Sequence, residues 1–274
     1  VNLLDPALPA RAVFHGVHSA ILMSGTLRPP EMVRDLLGLD EARTMARVYP
    51  SPFPPENRLV AIAQGMSTRY ARRGEDLWNR VAAIVADVAA AARGNLAVFS
   101  PSYAVLRDLR IALQEIGITK EFVVEEAGWG KAERDGVLDT LQAARKRGGA
   151  ILLGVLGGSF AEGVDFRDNL LSAVVVVGLP LAPPDLQVEA TIQYLERRFP
   201  GRGRAYGYTY PAMSRVLQAM GRAVRSETDK CAILLLDERY QGPPYRSLLP
   251  DEVPVVATTE PGRAVAGFLA ANGL

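Results

Sequence analysis

Apolar residues along this chain recur in two alternating periods. Short runs rich in β-branched residues occur at 19–23, 59–63, 95–99, 121–124, 150–155, 173–177 and 231–236, and most are apolar at consecutive positions. A strand buried on both faces has this pattern, so the runs predict a parallel sheet covered on both sides. Between them the period becomes helical. Leu77, Val81, Ile84, Val85 and Val88 share one face, as do Val105, Leu106, Leu109, Leu113 and Ile116. Strand alternating with helix predicts an α/β doubly wound layer.

Proline interrupts this alternation once. Tyr49-Pro50-Ser51-Pro52-Phe53-Pro54-Pro55-Glu56-Asn57 holds too many prolines for helix or strand and reads as an inter-domain linker. The expected division is residues 1–54, the tail of a neighbouring domain with its linker, and residues 55–274, the main domain. No internal repeat or low-complexity tract is present.

A chain of 274 residues that is 49% hydrophobic and 7% aromatic can bury one full α/β core and little more. Lys plus Arg number 31 and Asp plus Glu 30, so whole-molecule attraction to phosphate is weak and a nucleic-acid site must be a local groove. Cys231, His15 and His18 cannot supply a four-ligand zinc site, a disulfide or an iron–sulfur cluster. The longest apolar stretch, residues 170–184, is broken by glycine and proline before the roughly 20 residues a membrane span needs. No basic segment precedes an apolar run, and the chain reads as soluble and cytoplasmic.

Four stretches carry candidate chemistry. In Gln218-Ala219-Met220-Gly221-Arg222-Ala223-Val224-Arg225 a glutamine and two arginines recur at spacings that share one face if the segment is helical. Paired guanidiniums beside Gly221 suit phosphate recognition, and a solvated face paired with Glu227 and Asp229 is the other reading. Gly157-Gly158-Ser159-Phe160-Ala161-Glu162-Gly163-Val164-Asp165-Phe166 follows a buried strand, where α/β sheets bind ligands. Glu162 and Asp165 suit ribose hydroxyls or the arginines, and Ser159 with nearby amides suits a nucleic-acid backbone, unless this is a plain glycine-rich turn.

Val98-Phe99-Ser100-Pro101-Ser102-Tyr103 ends a strand in a serine-rich turn, with Ser102 as the N-cap of the next helix. Amides at a helix start can bind phosphate, although Ser100 and Ser102 serve equally as caps and Tyr103 as packing. Ser24-Gly25-Thr26-Leu27 also follows a strand-like run, and alone it reads as a turn.

Taken along the chain, Ser24-Gly25-Thr26-Leu27, then Val98–Tyr103, then Gly158–Phe166, then Gln218–Arg225 resemble motifs III, IV, V and VI of the XPD/DinG family of superfamily 2 DNA helicases. Ser51-Pro52-Phe53, Tyr210-Pro211-Ala212-Met213 and Asp237-Glu238-Arg239-Tyr240 extend the resemblance over nearly the whole chain. The resemblance implies an α/β RecA-like three-layer sandwich with a mostly parallel central sheet, the second motor domain of such a helicase. ATP with Mg²⁺ would bind in the cleft shared with the first motor domain. Arg222 and Arg225 would then reach a γ-phosphate with Gln218 and Gly221 beside them. Glu162, Gly163 and Asp165 would couple nucleotide state to DNA, and Ser24 and Thr26 would transmit closure. Single-stranded DNA would be held by Ser100, Ser102, Tyr103, Gly158 and Ser159. The family also implies 5′-to-3′ unwinding, roles in DNA repair with regulatory protein partners, a nuclear location in eukaryotes, and in XPD-like members an iron–sulfur cluster in the first half of the protein.

One departure qualifies these expectations. The chain contains no Gly-x-x-x-x-Gly-Lys-Ser/Thr run to cradle a triphosphate. The nearest mimic, Gly130-Lys131, has Ala132 where the hydroxyl belongs and Glu125 where the first glycine belongs. Asp40-Glu41-Ala42-Arg43 lacks a preceding buried strand, and Asp237-Glu238 imitates a metal-binding strand end with no phosphate loop to serve. Asp237 and Arg239 therefore read as a structural pair or an interface feature. This fragment is expected to be inactive alone. The competing readings are a non-catalytic RecA-like module that docks a regulatory protein and, much less favoured for want of a Gly-x-Gly-x-x-Gly helix start, a small-molecule enzyme on a Rossmann-like sheet.

Overall fold

The computed structural model describes residues 4–252 and 254–274. It forms two compact units, Val1–Pro50 with Leu181–Ser214 and Ser51–Pro180 with Arg215–Leu274. The first crossing, between residues 50 and 51, lies inside the proline-rich segment. Residues 181–214 group with the N-terminal piece, where a single division near residue 54 was expected.

The smaller unit contains α1 (Ala7–His15), α2 (Pro30–Leu37) and α7 (Leu186–Arg198). Charge ties its two chain segments together. Arg198 pairs with Asp5, and Asp35 accepts hydrogen bonds from Arg202 Nη1 at 3.0 Å and Tyr206 Oη at 2.7 Å. Residues 19–23, expected as a strand, are not one. A strand needs a ladder partner, none is present for this run among the described residues, and Ile21 and Met23 are each 87% exposed.

The larger unit holds the sheet. Its strands are β1 (Arg58–Ala63), β2 (Asn95–Ser100), β3 (Glu121–Val124), β4 (Ala150–Val155), β5 (Leu171–Val177), β6 (Cys231–Leu236) and β7 (Val255–Thr258). They lie in the order β3-β4-β2-β5-β6-β1-β7, and each pairing is parallel. The periodicity did not point to β7, a four-residue edge strand whose Val256 faces solvent.

On one face α3 (Glu75–Ala91), α4 (Tyr103–Glu115) and α9 (Pro261–Asn272) pack Val81, Val85, Leu109, Leu113, Val265 and Leu269 onto the sheet. The alternate strand residues Ala97, Phe99, Leu152, Val174 and Val176 are buried as well. Against β2 and β4 lies α5 (Lys131–Arg145), through Val137, Leu141 and Ala144. Both faces being covered explains why the strands are apolar throughout and not at every second residue.

At the carboxyl ends of β1, β5 and β6 a polar knot closes the sheet. Asp237, fully buried, accepts from Thr68 N at 2.8 Å, Thr68 Oγ1 at 2.7 Å, and Arg239 Nε and Nη2 at 2.8 Å each. Tyr240 Oη donates to Gly178 O at 2.7 Å. Gly178 has φ +71°, and a Cβ there would come within 2.3 Å of Thr68 Oγ1, so only glycine fits. Asp237 and Arg239 thus form a structural pair. Burial pushes the Asp237 carboxyl up, but the bonds from Arg239 and Thr68 outweigh it and hold the group below its ordinary 3.8.

A depressed carboxyl contributes stability above its unfolded-state value and loses it as pH falls through the folded-state value. Asp237→Asn should cost about 3–5 kcal/mol at pH 7, the usual range for breaking a buried pair. Below about pH 4 the difference between the variant and the parent should shrink. Urea unfolding of both chains at pH 7 and pH 3 checks this.

Candidate functional site

Because β3, β4 and β2 are neighbours, three loops emerge side by side from the carboxyl edge of the sheet. The β2 loop begins at Ser100. Ser102 Oγ accepts from Val105 N at 3.3 Å as the N-cap of α4, and Tyr103 is 42% exposed. Ser100 itself, expected to touch DNA, cannot do so through its side chain. It is the last residue of a central strand and is fully buried, and its carbonyl accepts from Leu156 N.

The β4 loop turns through Gly157 and Gly158 into one helical turn, α6 (Ser159–Glu162). Four residues cannot sustain a helix on their own. Anchors from outside hold it at both ends. At its start, Glu125 on the β3 loop accepts from Val155 N at 3.0 Å and Ser159 N at 2.7 Å. Phe160 is buried with Trp129 edge-on, ring centroids 6.1 Å apart. At its end, the Arg222 guanidinium donates to Ala161 O at 3.0 Å, Glu162 O at 2.8 Å and Val164 O at 2.8 Å.

This corrects three expectations. First, the arginines do not lie on a helix. Helix α8 (Tyr210–Met220) stops before Gly221, and Arg222 N and Ala223 N bond three residues back, to Ala219 O and Met220 O. Glycine weakens the helix there, and Asp229 takes the Arg225 amide at 2.9 Å. Second, Arg222 is not a free cation reaching outward, because all three of its nitrogens are used by carbonyls. Burial and the neighbouring Arg225 charge lower its pKa, yet a guanidinium remains charged. Third, four backbone amides of this loop are not available to a ligand. Those of Gly158, Ser159, Glu162 and Gly163 are bonded to Val155 O, Glu125, Gly158 O and Ser159 O.

Arg225 is the outward-facing cation of the pair. Its Nε lies 3.2 Å from Asp165 Oδ1, while Asp165 also accepts from Arg167 at 2.7 Å. The carboxylate paired with Arg225 is therefore Asp165, one of the two expected to receive the arginines, where the solvated-face reading had Glu227 and Asp229. Around them lies an open cavity of about 310 Å³ lined by Asp165, Arg167, Asp168, Arg225, Ser226 and Asp229. Glu162 and Gly163 are exposed nearby in the chain, and Gly221 is exposed after α8. Gln218 keeps a buried Oε1 with no hydrogen-bond partner. Ser24 and Thr26 belong to the smaller unit, where Thr26 N donates to Ser24 Oγ at 3.2 Å in a self-contained turn.

One carboxylate, Glu125, escaped the sequence reading, and Asp229, read there as a salt-bridge partner of the arginines, holds backbone amides instead. Glu125 stood out only as the residue spoiling a phosphate-loop mimic. Asp229, 1% exposed, takes the amides of both Arg225 and Asn169 at 2.9 Å, fixing the position of the second arginine. Among the described residues no His, Cys, Asp and Glu group could hold a metal ion. Cys231 is fully buried and burial pushes its thiol far up, so it is a poor ligand. No helix among the described residues is long and apolar enough to cross a membrane.

Residues 85–256 match the helicase C-terminal domain model. The chain is 30% identical over 234 residues to the ATP-dependent DNA helicase XPD of Sulfolobus acidocaldarius, covering 81% of this chain and 39% of that protein. It is 28% identical over 300 residues to the ATP-dependent DNA helicase DDX11 of Mus musculus, covering 96% of this chain and 33% of that protein. A solved apo XPD structure superimposes with a TM-score of 0.72 at 25% identity, over 93% of this chain and 52% of that one. The chain thus spans about two fifths or less of these two helicases' lengths.

If Arg222 holds the loop, Arg222→Ala should speed hydrogen exchange at the amides of Glu162 and Gly163 by about tenfold or more, the loss of roughly one charged hydrogen bond. Amides of the central strands should keep their protection, and Arg225→Ala should leave the loop unchanged. Exchange measured by NMR or mass spectrometry on the three proteins decides this.

Proposed function

The chain belongs to the helicase C-terminal domain family, of the XPD/DinG type in superfamily 2, and from that premise we propose that it is the second RecA-like motor domain of an ATP-dependent DNA helicase. The observation that carries the proposal is the division of labour between the two arginines. Arg222 fixes the loop after β4, and Arg225 stays exposed above an open cavity, steadied by Asp165.

An exposed guanidinium beside carboxylates suits one half of a nucleotide site. Arg225 would meet phosphate oxygens, and Asp165 and Glu162 would accept from ribose hydroxyls or release the arginine when nucleotide arrives. When bound, ATP would supply a phosphoanhydride bond whose hydrolysis would drive movement, with Mg²⁺ held by the first motor domain. This chain has no phosphate loop, so the fit is that of a partner half-site, and the first motor domain is the obligatory partner. Residues 1–50 would belong to that domain or its junction. Their exposed Val17, Ile21, Met23 and Val48 suit burial under its remaining structure.

Single-stranded DNA would cross the loops after β2 and β4, touching Ser102, Tyr103, Gly158 and the Ser159 hydroxyl. Such contacts are backbone-directed and sensitive to salt. Polarity of 5′ to 3′, DNA-repair partners and an iron–sulfur cluster outside this chain follow the family. The residues here would not ligate such a cluster.

The isolated chain should show no DNA-stimulated ATP turnover, and the full-length protein should show it. Arg225→Ala in the full-length protein should lower turnover about 10³-fold or more. Steady-state phosphate release with and without single-stranded DNA measures all three. Robust turnover by the isolated chain would overturn the proposal.

A further inference from the structure

Glu125 is 2% exposed, and burial pushes its carboxyl above its ordinary value, opposed by backbone amides and by no neighbouring cation among the described residues. An unpaired buried carboxylate is costly unless its oxygens are filled by hydrogen bonds. Here Oε2 takes Val155 N, Oε1 takes Ser159 N, and the Phe160 amide also bonds the group. The space exists only because two flanking residues lack side chains. A Cβ on Gly158 would stand 2.6 Å from Oε1, and one on Gly154 2.9 Å from Oε2.

The placement is directional. Glu125 grips the start of α6, the end bearing Gly158 and Ser159, while Arg222 grips the other end next to Asp165. Trp129, four residues on from Glu125, braces Phe160 of the same turn. Tyr103 stands close enough for its phenol to be pushed up by burial and then by the Glu125 charge. We propose that Glu125 is a positioning residue for nucleic-acid binding, holding Gly158 and the Ser159 hydroxyl in register with Ser102 and Tyr103. The inference rests on the helicase reading.

A carboxylate is specifically required, since it presents two acceptors to converging donors. Glutamine offers one acceptor and turns its NH₂ toward the other amide. Aspartate keeps both acceptors and the charge but is one methylene short. Because the Ser159 amide is consumed by Glu125, DNA contact at this residue falls to its hydroxyl.

The test uses the full-length protein, measuring ATP turnover against single-stranded DNA concentration and separately against ATP concentration. For Glu125→Gln the DNA concentration giving half-maximal stimulation should rise about tenfold, equivalent to one charged hydrogen bond lost, while the ATP KM stays within about twofold. Glu125→Asp should fall between the two proteins. An unchanged DNA half-saturation in Glu125→Gln, or equal shifts in both constants, would overturn the proposal. If Gln fails to fold, the Asp variant must still show the split. If both fail, Glu125 serves folding and the proposal is wrong. A parent protein with no DNA-stimulated turnover would instead defeat the helicase reading itself.

Discussion

Residues 158–164 are too short to be structured by themselves, and two opposite charges delivered from elsewhere in the sequence hold them. Glu125, 34 residues before Ser159, satisfies amides at the start of the turn. Arg222, 61 residues after Ala161, satisfies carbonyls at its end. The signs match the polarity of the peptide groups, amides toward the anion and carbonyls toward the cation. The loop that joins the two halves of the candidate site is therefore fixed by side chains outside it, and it can move only if one of those anchors moves.

Strand order makes this arrangement possible. With β3, β4 and β2 adjacent, the loops bearing Glu125, Ser159 and Tyr103 leave the sheet next to one another although they are far apart along the chain. The turn after α8 reaches the same loop from its other end. A buried polar knot of similar construction closes the ends of β1, β5 and β6, where Asp237 ties Thr68 to Arg239. Such knots are rigid because the carboxylate oxygens at their centres are filled, and under the proposed function a rigid frame would let the exposed Arg225 and Tyr103 present fixed chemistry to a ligand.

The two arginines that look equivalent by spacing have separate tasks in the folded chain. Arg222 is an internal strut, and Arg225 is a surface cation balanced by Asp165. A near-neutral chain with Arg225 and Arg167 around an open cavity would fit half of a shared site, in which the missing charge would come from the partner domain.

The α/β class, six of the seven strands and the buried helix faces were legible from residue pattern alone, because burial on both faces leaves a local signature in hydrophobicity. The order of the motif-bearing stretches was equally legible, since it needs no geometry. The run at 19–23 misled, because a strand is defined by a neighbour and local composition cannot say whether one is present. The helical spacing at 218–225 misled because the carbonyls that capture Arg222 and the carboxylate that captures the Arg225 amide come from residues 161–164 and 229. Glu125 was unreadable for the same reason, and Asp229 was read as a salt-bridge partner of the arginines when it holds the amides of Arg225 and Asn169. Their roles rest on backbone amides brought close only by the sheet, and a hydrogen bond between distant segments leaves no periodic trace in sequence.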